Sequence, residues 1–268
     1  MPESTHHHHW LLTVAYLGTN YCGWQHQKNG NAVAQELEKI LRRIQGRRVV
    51  VHGASRTDAG VHAEGQRARI SLPKAMDGKK LLRAFNTLLP PDIQVLALAP
   101  CAPDFHPRIR ARLKTYRYQL VNGPVLSPFL TTTHHWLRRP LNRAAMDEAA
   151  ALFLGRHDFS AFRAAAGSAQ PPRRSITLSE WATPAPAILH YRVAGPGFMH
   201  QQVRIMAGTL LEVGMGRRTV ASVAALLQGG PREAAGATAP PQGLILESIE
   251  YAHESPAGSG INSPPRAV

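Results

Sequence analysis

Two cysteines in 268 residues, Cys22 and Cys101, are too few for a disulfide framework, and their spacing offers no zinc-ligand pair. That poverty suits a reducing cytoplasm, the expected location. Acids are scarce as well. The 17 Asp and Glu residues are scattered and form no carboxylate cluster of the kind a metal-dependent nuclease needs. No apolar run is long enough to cross a bilayer, and no charged-then-apolar leader opens the chain, so neither membrane span nor signal peptide is expected. A phosphate-binding loop and a dinucleotide fingerprint are also missing.

What the chain has in excess is positive charge. Lys and Arg total 31, of which 25 are arginine, giving a net charge of +14 and a pI near 10.7. A field of that sign attracts polyanions, nucleic acid foremost, although a solvated basic surface is the plain alternative. Arginine adds two-point phosphate contacts and stacking. Hydrophobic residues make up 44%, enough for a core in one large domain or two small ones.

Periodicity predicts a repeated order. Residues 10–16 read as a strand, and 31–45 as a helix with Val33, Leu37, Ile40, Leu41 and Ile44 on one face and Asn31 as its cap. Two strands flank residues 54–63, a helix stops at Pro90 and Pro91, and 93–98 is another strand. In the second half, 112–121 alternates with Tyr116, Tyr118 and Leu120 on one face, and a helix over 141–155 is closed by Gly155. Two more strands, two helices and a final strand at 244–251 complete it. The expected fold is α+β, with two pseudo-duplicated β-α-β-β-α-β halves of ferredoxin-like element order and antiparallel sheets flanked by helices. The halves are expected at 10–103 and 104–252, with a cleft between them. Residues 1–9, with four consecutive histidines, and 253–268, rich in Pro, Gly and Ser, are expected to be disordered tails.

The chemistry concentrates in Ser55-Arg56-Thr57-Asp58-Ala59-Gly60-Val61-His62-Ala63. A turn needs Gly, Asn or Asp for its backbone and has no use for an arginine two positions before the aspartate. Either Asp58 is an ordinary turn acid, or the turn holds one carboxylate beside one guanidinium. An ionised, sheltered carboxylate can serve as nucleophile or base on a sugar or a ring. With no second carboxylate close by, a glycosidase-type acid/base pair is not indicated.

This stretch resembles the signature of the tRNA pseudouridine synthase A family. The likeness continues in order through residues 15–27, 105–120, 154–162, 195–216 and 236–251. It implies a catalytic Asp58, with Arg56 helping to flip the base, Tyr118 stacking on the extruded uracil and Arg204 pairing with Asp58. Leu244 would form an apolar wall. Tyr118 is also the implied base for the C5 proton. The implied reaction detaches uracil from C1′ of a uridine and rejoins it through C5, at tRNA positions 38, 39 and 40, without cofactor or metal. The implied partners are tRNA and a second copy of the chain. Three positions depart from the family pattern: Leu17 replaces an acid, Ser55 a glycine and Gln202 a methionine. A same-family synthase with another RNA target and a non-catalytic RNA-binding protein are the rival readings; the latter would carry its aromatics in an RNP-type stretch, which is absent.

Overall fold

A computed structural model describes residues 7–27, 30–164 and 171–252. The first half runs β1 (His8–Tyr16), α1 (Val33–Gln45), β2 (His52–Gly53), β3 (His62–Leu72), α2 (Gly78–Leu88) and β4 (Ile93–Pro100). The second runs β5 (Ala111–Asn122), β6 (His135–Leu137), α3 (Arg143–Ala151), β7 (Gly155–Asp158), β8 (Arg173–Ile176), β9 (Leu178–Ala185), β10 (Ile188–Gly195), α4 (Gln202–Gly214), α5 (Val220–Leu226) and β11 (Leu244–Tyr251).

The strand order exposes the duplication. In the first half β4, β1, β3 and β2 are neighbours in that sequence; in the second, β11, β5, β10 and β9 are. Numbering each half's own strands one to four gives 4-1-3-2 twice, the ferredoxin-like order. The main sheets of the two halves are continuous, and β7 and β8 form a small second sheet. β11 pairs with β3 in parallel at two positions, Ile245 with His62 and Leu246 with Ala63, and fuses the halves into a continuous sheet.

Alternation explains which residues face the helices. Leu12, Val14 and Tyr16 of β1 and Ala68, Ile70 and Leu72 of β3 are buried, with Leu37 and Leu41 of α1 and Leu81 and Phe85 of α2 in the same core. Burying each of the Val, Leu, Ile and Phe side chains among them contributes about 1.5–3 kcal/mol.

Several boundaries differ from the sequence expectation, each for a local reason. His8 and His9 belong to β1, opposite Leu72 and Ser71, and not to a tail. Residues 1–6 and 253–268 lie outside the described residues. The cap of α1 is Ala32 rather than Asn31, because the Gln35 side chain accepts the Ala32 N–H at 2.7 Å. The run before His52 is only briefly a strand: the Glu38 carboxylate takes the Val51 N–H that a ladder would use. Helix α3 stops at Ala151, and Phe153 turns into an aromatic cluster with Phe159 and Phe162. The β-branched run ahead of Trp181 is not one strand but two, broken at Thr177, whose N–H is taken by the Ala194 carbonyl.

Candidate active site

Residues 54–61 connect β2 to β3 and lie at the join of the halves. Their backbone has little freedom. The Thr57 carbonyl accepts the Trp24 N–H at 3.2 Å, and Gly60 N–H donates to the Tyr21 carbonyl at 3.2 Å. Gly60 has φ +76, which favours glycine, and Gly23 (φ +96) packs so close that a Cβ there would lie 2.4 Å from the Thr57 carbonyl. Tyr16 and Thr57 hydroxyls meet at 2.8 Å. Ser55 is tied three ways: its N–H and carbonyl to the Gln66 amide, and its hydroxyl to the Tyr116 phenol at 2.7 Å. The Ser55 hydroxyl thus spans from the loop to β5.

This loop holds Asp58 at the floor of a cleft of about 930 Å³ with walls from both halves. Arg204, in the first turn of α4, donates from Nη1 to Asp58 Oδ2 at 3.0 Å. Its Nε donates to the Ala239 carbonyl at 2.8 Å, which fixes the guanidinium on the approach to β11. The two side chains are 18% and 12% exposed, so the pair is largely withdrawn from water. His200 Nε2 stands 3.6 Å from the other carboxylate oxygen, Oδ1. Asp58 is therefore held by a turn-and-helix clamp, not by Arg56. The Arg56 side chain lines the cleft without a hydrogen-bond or carboxylate partner among the described residues.

Of the residues lining this cleft, Asp58 alone is acidic, whereas Arg56, Arg108, Lys114, Arg163 and Arg204 are basic. Lys114 is buried and donates to the Ala54 carbonyl at 2.7 Å. Burial, aided by the nearby Arg108 charge, lowers its pKa to about 8.

The expectation for Tyr118 fails on geometry. Tyr118 is 0% exposed, its hydroxyl donates to the Pro240 carbonyl at 3.1 Å, and Gly243 packs against its ring. It lines neither the cleft nor the recess beside Asp58. Tyr116, two residues earlier on the same face of β5, lines the cleft beside Asp58 and meets Phe198 edge-on at 5.2 Å. Burial, and next the Asp58 charge, push its phenol up to about 12, against the opposing effect of the Ser55 hydrogen bond. Leu244, at the start of β11, lines a small recess shared by Asp58, Tyr116 and Val203. Gln202, where the family has methionine, closes the N-terminus of α4 by accepting the Met199 N–H at 2.9 Å.

Sequence reasoning missed Tyr116, His200 and Lys114. Alternation places Tyr116 and Tyr118 on one face but not at one depth, and only the position of the loop across the sheet separates them. His200 had a signal in its place just ahead of Gln202 and Arg204.

Among the described residues no group of three or more His, Cys, Asp or Glu side chains is placed to hold a metal ion, and no helix is long and apolar enough to cross a membrane.

Comparison with known proteins agrees with this geometry. The family model for tRNA pseudouridine synthase matches residues 12–108 and 149–252, segments that contain Asp58, His200, Arg204 and Leu244. The tRNA pseudouridine synthase A of Myxococcus xanthus is 46% identical over 247 residues, covering 92% of this chain and 93% of that protein. The protein of the same name from Rhodospirillum rubrum is 43% identical over 249 residues, covering 92% and 88%. That from Acetivibrio thermocellus is 38% identical over 240 residues, covering 90% and 98%. With a clamped carboxylate where the halves join and likeness running through both of them, the chain belongs to the tRNA pseudouridine synthase family.

Proposed function

We propose that this protein isomerises uridine to pseudouridine in the anticodon stem-loop of tRNA, at positions 38, 39 and 40. The observation that carries the reading is the lone carboxylate of Asp58, clamped by Arg204 in an otherwise basic cleft. The basic wall suits the RNA backbone, and the carboxylate suits a reaction that needs a nucleophile or base at a ribose. A uracil stacked in a stem cannot reach such a floor, so it is extruded and stacked on an aromatic surface. Tyr116 takes that role in place of Tyr118, with Leu244 as the apolar wall beneath. Arg56, at the mouth, fills the gap left in the stem or holds the displaced phosphate. Two routes are open to the carboxylate, attack on C1′ or removal of a C2′ proton, and both keep Asp58 ionised at the start. Family resemblance supports a homodimer with tRNA laid across both subunits, working in the cytoplasm.

The test compares pseudouridine maps of tRNA from cells with and without the protein, together with the purified Asp58→Asn variant. Sites 38, 39 and 40 should lose the modification when the protein is absent. The variant should melt and bind RNA as the native chain does, while C5 tritium release falls by at least about 10³-fold, as expected when a group acting directly on the substrate is lost. Release near the native rate would remove Asp58 from the reaction.

A further inference from the structure

The two oxygens of Asp58 keep different company. Oδ2 is fixed by Arg204, a group that cannot accept a proton. Oδ1 faces His200 Nε2 at 3.6 Å, a contact that a small side-chain rotation makes a hydrogen bond. The imidazole side chain is 41% exposed, so it touches both the sheltered carboxylate and bulk water.

The chain is bent to put it there. Gln201, the next residue, sits in the left-handed region at φ 59 and ψ 7, which costs a non-glycine residue on the order of 1 kcal/mol. That bend lets α4 start at Gln202 while His200 reaches back across the cleft, its own carbonyl held by the Ala164 N–H at 3.2 Å. Strain kept beside a carboxylate contact is a reason to look for a task.

The isomerisation proposed above, on which this inference rests, leaves one proton to dispose of. Once C5 is bonded to C1′ it still carries its hydrogen. The acceptors on hand are few. The arginines are donors, Lys114 is turned to the Ala54 carbonyl at 2.7 Å, and the Tyr116 phenol, pushed up to about 12, keeps its proton near neutrality. His26 also lines the cleft but makes no hydrogen bond or ion pair among the described residues. Asp58 is free again by this stage on either route, its Oδ2 still on Arg204.

We propose that His200 is the proton exit of the site: Asp58 Oδ1 takes the proton from C5, and His200 Nε2 takes it from Asp58 and releases it to solvent. The C5–H bond breaks and its electron pair forms the C5–C6 double bond. The electrons of the N1–C6 double bond move to N1, which collects a proton from water. One proton leaves and one arrives, so no further reactant is needed. His200 acts through Asp58 and does not touch the base; it is a relay and positioning residue. An imidazole suits this step because a ring nitrogen can accept a proton and the partly exposed ring can pass it to water.

The experiment follows single turnovers of tRNA carrying hydrogen or deuterium at C5, with native protein, His200→Gln and His200→Ala. Because the side chain is partly exposed, both variants should keep the native melting temperature and tRNA affinity. Release of the C5 hydrogen should slow by about a hundredfold in each, a usual size for a lost acid–base group. The variants should also show a several-fold larger deuterium effect than the native protein, because deprotonation has become limiting. Added imidazole should restore much of the rate of His200→Ala and none of His200→Gln, where the glutamine fills the space. Rates within about threefold of native, far below a general acid–base loss, would overturn the relay. So would slow variants with no added isotope effect and no response to imidazole, which would mark His200 as a structural contact. Native protein that releases no C5 hydrogen from any tRNA would instead overturn the function proposed above.

Discussion

Arg204 Nη1 lies 3.0 Å from Asp58 Oδ2, although 146 positions separate the two residues in sequence. One belongs to the first half and the other to the second. Surface ion pairs contribute only about 0–1 kcal/mol, whereas breaking a buried pair costs about 3–5 kcal/mol because a charge is left without its partner. This pair is mostly enclosed and falls nearer the second case. Arg204→Ala should lower the single-turnover rate on tRNA by well over about a hundredfold, a loss of nearly 3 kcal/mol of transition-state stabilisation. Arg204→Lys should recover part of it, since an ammonium cannot serve Asp58 and the Ala239 carbonyl at once in the guanidinium's planar geometry. Arg42→Ala, on the exposed side of α1, is the control. Equal small effects at both positions would mean that Asp58 is held by other means.

The tyrosines of β5 should part company when each is changed. Tyr118→Phe leaves the Pro240 carbonyl without its donor and should cost about 1 kcal/mol of stability, with activity intact. Tyr116→Phe keeps the aromatic face and should be tolerated within about tenfold, although Ser55 loses its partner. Tyr116→Ala removes the surface on which a base stacks, a contact worth about 1–3 kcal/mol, and should weaken capture of the flipped uridine accordingly. Rates at saturating tRNA, compared with melting curves, separate the three. A loss of activity confined to Tyr118→Phe would reverse the assignment.

Lys114 gives a pH signature. Its pKa falls from 10.5 in the unfolded chain to about 8 in the fold, so folding prefers the neutral amine. Its contribution to stability is present in full above pH 10.5 and is lost as the pH falls through about 8. Native protein should therefore gain stability relative to Lys114→Met as the pH is raised from about 8 towards 10.5. Paired denaturant titrations across that range measure the difference. A constant gap between the two proteins would show that the lysine is not desolvated by the cleft wall.

Binding should be strongly salt-dependent. If tRNA places six or more phosphates on the basic surface, affinity should drop roughly a thousandfold between 50 and 200 mM salt. Filter binding over that range supplies the slope. A flat response would leave the charge of +14 without the partner proposed for it.

The sequence carried the fold well because its signals are local. Apolar spacing in α1, proline stops after α2 and alternation in β5 each follow from a few adjacent residues. Local reading did not show that the halves share one large sheet, because the two-position pairing of β3 and β11 joins residues 62–63 to 245–246 and leaves no periodic trace. The site shows the same division. Asp58 was legible in its own turn, and Arg204 and Leu244 through family likeness. The depth that separates Tyr116 from Tyr118, and the reach of His200 to Asp58, depend on how distant segments stack. No residue-by-residue pattern contains those.

The placement of β11 has a consequence for how the enzyme comes into being. In sequence it follows every other described strand and helix, yet in space it fills the middle of the sheet, between β3 and β5. It is the strand through which β3 and β5 are joined, and the Ala239 carbonyl that anchors Arg204 lies just ahead of it. The fold thus ties completion of the site to the last described strand, because the segment that bridges the halves is entered directly from the anchor of Arg204.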